Sequence, residues 1–108
     1  MKSKLLDILK NPANKLIAVD LDWTLCTGKF WKEECKPIAD RINYINSLYK
    51  KWAHIIIRTA RMPEHYEVTR KWLEQHNIMY HWISMHTKIW ADIYIDDKAL
   101  HISDVFTN

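Results

Sequence analysis

The chain has 108 residues, enough for one compact domain, and its 48% hydrophobic and 27% charged residues exclude a disordered polypeptide. The net charge of +3 favours an anionic substrate mildly and is too small to indicate nucleic-acid binding by itself. One glycine and three prolines leave no linker, so a single domain over 1–108 is expected. No apolar run is long enough for a membrane helix, and the start MKSKLLDILK is too short and charged for a signal peptide, so a cytoplasmic protein is expected.

Residues 1–14 read as an N-terminal extension, with KSKLLDILK as a short amphipathic helix carrying Leu5, Leu6 and Leu9 on one side. KLIAVDL is a continuous apolar run, the pattern of a parallel strand covered on both faces. TGKFWKEECK follows, and its Gly28, Lys29, Phe30 and Trp31 form the expected flap. PIADRINYINSLYKK spaces Ile38, Ile42, Ile45 and Leu48 for a helix, with Pro37 suited to its first turn. AHIIIRTA is a second strand. PEHYEVTRKWLEQHN reads as a helix with Val68 and Trp72 on one face and Asn77 as its stop. IMYHWIS and ADIYIDD are the third and fourth strands, joined by MHTKIW, which is too short for a helical crossover. The alternation predicts an α/β fold, a single Rossmann-like domain with a mainly parallel sheet flanked by helices.

The polar residues at the strand ends carry the functional reading. Asp20 and Asp22 follow the first strand, Thr59 the second, and Asp96 and Asp97 the last, with Lys88 just ahead of it. Ligands of open parallel sheets bind beyond the carboxyl ends of the strands, so these groups converge on one edge. Clustered carboxylates favour a hard divalent cation such as Mg²⁺, here through Asp20 and the Asp96/Asp97 pair. One carboxylate is then placed to attack a phosphorus atom, and a neighbour two residues on to exchange a proton with the leaving oxygen. Thr59 and Lys88 supply a hydrogen bond and a positive charge to the phosphoryl oxygens. Trp23 and Arg61 are candidates for substrate contact. Asp92 belongs to the far end of its strand. Cys26 and Cys35 lack metal-ligand spacing and read as reduced thiols, the six histidines show no metal spacing, and most tryptophans are expected in core or half-buried positions.

With these residues in view, the chain resembles the haloacid dehalogenase superfamily of aspartate-nucleophile phosphohydrolases. IAVDLDWTL matches its first motif, hhhDxDxT; IIIRTAR matches the second, Lys88 the third and IYIDDK the fourth, in order over residues 16–98. The resemblance implies Asp20 as nucleophile and metal ligand, and Asp22 as general acid/base that also gives its carbonyl to Mg²⁺. Thr24 would brace the turn beside the substrate, Thr59 bind the phosphoryl group, Lys88 offset its charge, and Asp96 or Asp97 hold the metal. Two departures are Trp23, where the family most often has glycine, and Ile89 after Lys88, where relatives often have proline. Neither gap between motifs is long enough for the cap domain that many members insert. The implied protein is a capless Mg²⁺-dependent phosphatase. Its open site would take a sugar phosphate, a nucleotide or a nucleic-acid end, or be completed by a second copy of the chain. Alternatives are a polynucleotide-end phosphatase and a catalytically weak binding or regulatory module.

Overall fold

In chain order the computed structural model contains β1 (Leu16–Asp20), β2 (Cys26–Thr27), β3 (Lys36–Pro37), α1 (Ala39–Lys50), β4 (His54–Thr59), α2 (Tyr66–Gln75), β5 (Trp82–Met85) and β6 (Ile93–Ile95). Short 3₁₀ turns occupy Phe30–Lys32 and Pro63–His65, and residues 7–10 are helical. The structure describes residues 7–32, 34–87 and 89–97. Leu5, Leu6 and Lys88 therefore lie outside the described residues, as does everything after Asp97.

β1, β4, β5 and β6 form one parallel sheet in the order β5-β4-β1-β6. Register aligns Ile17 with Ile55 and Ile93, and Val19 with Ile57 and Ile95. Because side chains alternate along a strand, these five isoleucines and Val19 share one face. All are buried in one cluster with Ile42, Ile45 and Leu48 of α1 and Leu73 of α2. Both helices thus cover the same face, as expected when successive parallel crossovers of one hand progress in one direction along a sheet. On the opposite face Ala18 and Ile56 are also buried. There the Tyr94 hydroxyl accepts the Ala91 N–H and donates to the Ile89 carbonyl, so the link before β6 lies against this face.

That link resolves the short connection. It runs from the end of β5 at one edge to the start of β6 at the other, between Met85 and Ile93. The three strand spacings alone amount to about 14 Å, to which the length of the parallel strands is added, a span that so few residues could not cover as a helix rising about 1.5 Å per residue. It is anchored at the far end of the sheet, where the Leu16 N–H donates to Asp92 Oδ2 at 2.7 Å and the Asp92 N–H to the Leu16 carbonyl at 2.8 Å. Asp92 is structural, at the end opposite the acidic cluster.

Several local expectations are corrected. Pro37 does not enter the first turn of α1; it pairs with Cys26 in the β2–β3 hairpin, and the Ile38 N–H is drawn to the Leu25 carbonyl at 2.9 Å. The buried face of α2 is Thr69 and Leu73, while Val68 is exposed and Trp72 half-buried, its Nε1 donating to the Cys35 carbonyl. The third strand is shorter than IMYHWIS and begins only at Trp82. Trp23, Trp52, Trp82 and Trp90 are exposed rather than core. Asn77 stops α2 as expected, at a φ of 57°. Among its described residues, the gap between β1 and α1 holds the hairpin and one 3₁₀ turn. Among the described residues no helix is long and apolar enough to cross a membrane.

Candidate active site

The carboxyl ends of β1 and β4 open into a cavity of about 450 Å³, lined among others by Asp20, Asp22, Trp23, Arg58, Thr59, His86 and Thr87. Asp20 is the last residue of β1, and the β1–β4 pairing continues one step further through the Leu21 N–H to the Arg58 carbonyl. The chain then turns sharply, with the Thr24 and Leu25 N–H groups both donating to the Leu21 carbonyl. At the apex Trp23 has φ 69°, a left-handed conformation that a bulky residue adopts only under constraint. The constraint is visible: the Trp23 N–H donates to the Cys26 carbonyl at 2.8 Å, and Arg41 Nη1 donates to the Trp23 and Thr24 carbonyls.

Burial pushes the Asp20 carboxyl above its ordinary range; the nearby Arg58 opposes this, and the charges of Asp96, Asp97 and Asp22 push it further up. The Arg58 Nη1 stands 3.9 Å from Asp20 Oδ1, and its guanidinium lies over the Tyr94 ring. Asp96 and Asp97 reach Asp20 because β6 is hydrogen-bonded directly beside β1. An ionised carboxylate crowded by three others is stabilised by a cation, and hard oxygen donors suit one such as Mg²⁺. Asp20, Asp96 and Asp97 are not among the described residues whose ligand atoms gather within 4.8 Å of one another.

Asp22 is held differently. Its Oδ2 accepts from Thr59 Oγ1 at 3.0 Å and Arg61 Nε at 3.1 Å, while its Oδ1 accepts from Arg61 Nη2 at 2.7 Å. Arg61 is only 5% exposed. Its Nη1 donates to Thr69 Oγ1, its Nη2 also reaches Cys35 Sγ at 3.5 Å, and its plane lies over the Phe30 ring at 4.1 Å. Thr59 completes the arrangement by accepting the Arg61 backbone N–H. Arg61 is thus a buried fork that orients the Asp22 carboxylate, rather than a side chain extended to substrate.

Asp22, Cys26 and Cys35 place one ligand atom each within 4.8 Å of one another. The Arg61 guanidinium already supplies the positive charge among them. Burial, with Cys35 and Asp22 nearby, pushes the Cys26 thiol up to about 12, and a protonated thiol is a poor metal ligand. Both cysteines are free thiols.

The sequence-identified residues therefore separate. Asp20, Asp22, Trp23 and Thr59 line one cavity, and Asp96 and Asp97 act on it electrostatically. Thr24 is fully buried and does not line the cavity; its hydroxyl has no hydrogen-bond partner among the described residues. Lys88 lies outside the described residues. From the sequence, Arg58 and Arg61 flank Thr59 and either could bind a substrate phosphate; it is Arg58 that lines this cavity, with His86 and Thr87, which sequence reasoning did not single out. Arg58 carried a signal, since parallel register places it opposite Asp20; His86 and Thr87 carried none without the path of the strap.

The fold and cavity define an α/β domain with an acidic site at the carboxyl edge of a parallel sheet. Comparison with protein-family models, curated proteins and solved structures finds no match for the chain.

Proposed function

We propose that this chain is a capless, Mg²⁺-dependent phosphomonoester hydrolase of the haloacid dehalogenase type, with Asp20 as nucleophile. The observation that supports it best is the crowding of Asp20 by Asp96, Asp97 and Asp22 at the mouth of an open cavity beside Arg58. In the proposed reaction an Asp20 oxygen attacks phosphorus, the bond to the leaving oxygen breaks, and Asp22 gives that oxygen a proton. Water then attacks the phosphorus of the aspartyl phosphate, Asp22 takes the proton back, inorganic phosphate leaves, and Asp20 is regenerated. Each Asp22 oxygen takes two donors, Oδ2 from Thr59 and Arg61 and Oδ1 from Arg61 and the Cys26 thiol, so the carboxylate is held on both sides where it would exchange the proton. Arg58, which lines the cavity, would meet the incoming phosphoryl oxygens, whereas the Thr59 hydroxyl gives its one proton to Asp22 Oδ2. Asp20 with the Asp96/Asp97 pair would hold the Mg²⁺ ion, which lets an anionic phosphate approach an anionic nucleophile.

The test is hydrolysis of a panel of sugar phosphates, nucleotides and phosphorylated oligonucleotides, with and without Mg²⁺. Asp20→Asn abolishes turnover while its circular dichroism stays that of the parent; turnover retained in that variant rejects the mechanism. The two-point hold of Arg61 on Asp22 favours a second reading, a binding or regulatory module with a slow proton relay. Measurable Mg²⁺ binding without turnover across the whole panel selects that reading.

A further inference from the structure

Beside the acidic cavity lies a second one of about 380 Å³, whose lining includes Trp23, Phe30, Arg61, Met62 and His65. The two cavities share Asp22, Trp23 and Ala60, so they adjoin at Trp23. Trp23, Phe30 and His65 give this second cavity three aromatic rings. Phe30 is met edge-on by His65 at 5.0 Å and is covered by the Arg61 guanidinium, which fixes that wall. The Trp23 ring is different: it is 54% exposed, and among the described residues it has no hydrogen-bonding or ring partner.

Trp23 stands at a backbone position where glycine would be relaxed, because its φ is 69°. An indole there is strained and covers no core, so folding does not account for it. Its backbone is pinned on both sides by Cys26 and Arg41, which holds the residue at the boundary between the acidic cavity and the aromatic one. Trp23 lines both the cavity that holds Asp20 and its neighbour, so the leaving group of a phosphate ester bound at Asp20 would have this ring within reach. We infer that Trp23 is a stacking platform for an aromatic leaving group, and that the substrate is a nucleotide whose base lies on the indole beside Phe30, Met62 and His65. This rests on the phosphatase reading and names its substrate class. The nucleotide is either free or the phosphorylated terminus of a strand; the chemistry recognised is the same.

Stacking of a base on an aromatic side chain corresponds to roughly tenfold or more in affinity. The experiment compares adenosine 5′-monophosphate with ribose 5-phosphate, which lacks the base, on the parent protein, Trp23→Gly and Trp23→Phe. Trp23→Gly removes the ring and suits the left-handed backbone, so it folds. The parent is expected to prefer the nucleotide by about tenfold or more in kcat/KM, chiefly through KM. That ratio collapses toward one in Trp23→Gly and is largely kept in Trp23→Phe. A parent ratio near one, or a ratio unchanged in Trp23→Gly, overturns the platform. If neither compound is hydrolysed, the full panel decides the phosphatase reading and calorimetric binding of the same two compounds decides this one. Tighter nucleotide binding that is lost in Trp23→Gly supports the platform, and equal or absent binding overturns it. A 5′-phosphorylated oligonucleotide whose binding falls steeply with salt, where the free nucleotide's does not, identifies the strand terminus as the source.

Discussion

Replacing Arg61 by methionine keeps the length of the side chain and removes the fork that holds Asp22. Two charge-assisted hydrogen bonds to the carboxylate are lost, each ordinarily contributing about 1.5–3 kcal/mol. Breaking a fully buried ion pair from one side costs about 3–5 kcal/mol. Asp22 retains the Thr59 hydroxyl, and its side chain is 26% exposed, so water recovers part of the loss. The Thr69 hydroxyl loses its donor but still donates to the His65 carbonyl. The expected destabilisation is therefore about 2–4 kcal/mol, a large share of the roughly 5–15 kcal/mol that holds a domain of this size. Urea unfolding followed by circular dichroism measures it. Asp22→Asn and the double variant close a cycle, with a coupling of about 1–3 kcal/mol expected for groups in direct contact. Arg61→Lys falls between, because an ammonium cannot reproduce the two-point fork. Unfolding of Arg61→Met within about 0.5 kcal/mol of the parent, or strict additivity in the cycle, would refute the assignment of Arg61 as the group that positions Asp22.

Two further outcomes are expected. Thr24→Val removes a buried hydroxyl that has no partner among the described residues, so stability should be unchanged or rise by about 1 kcal/mol; a loss larger than that in urea unfolding shows that the hydroxyl is bonded. His81 has its pKa lowered by burial and by His54, whose ring is stacked on it at 4.0 Å, while its Nδ1 accepts the Ile55 N–H. A lowered folded-state value means that the unfolded chain takes up the proton first. Stability is accordingly full above the ordinary value of 6.5 and falls as pH drops through the lowered one. Unfolding measured between about pH 7.5 and about pH 5 should show that fall, flattened in His81→Gln; equal slopes in both proteins reject the linkage.

The parts of the fold legible in the sequence were those governed by apolar runs. LIAVD and HIIIRT are buried on both faces, and a continuous apolar string has few other solutions in a chain this short. Strand ends followed from the same runs, which is why Asp20, Asp22 and Thr59 were legible as neighbours. Pro37 was misread because helical spacing begins at Ile38 and says nothing of a two-residue pairing with Cys26. The face of α2 was misread for a related reason: Thr69 counts as polar in a pattern, yet it is buried by the Arg61 guanidinium that it receives. Arg61 itself illustrates the limit. Its position beside Thr59 suggested substrate contact, whereas its direction depends on Asp22, Phe30, Cys35 and Thr69, which are brought together only by the tertiary fold.

The edge strand β6 has a consequence for how the protein is made. Its pairing with β1 joins residues 76 positions apart, as in the Leu16–Asp92 bond, and long loops close late. An emerging chain carries Asp20 and Asp22 long before Asp96 and Asp97 have been synthesised. The chemistry proposed for this edge of the sheet is thus withheld until β6 has been synthesised and paired, and a nascent fragment lacking β6 holds the nucleophile without its acidic companions.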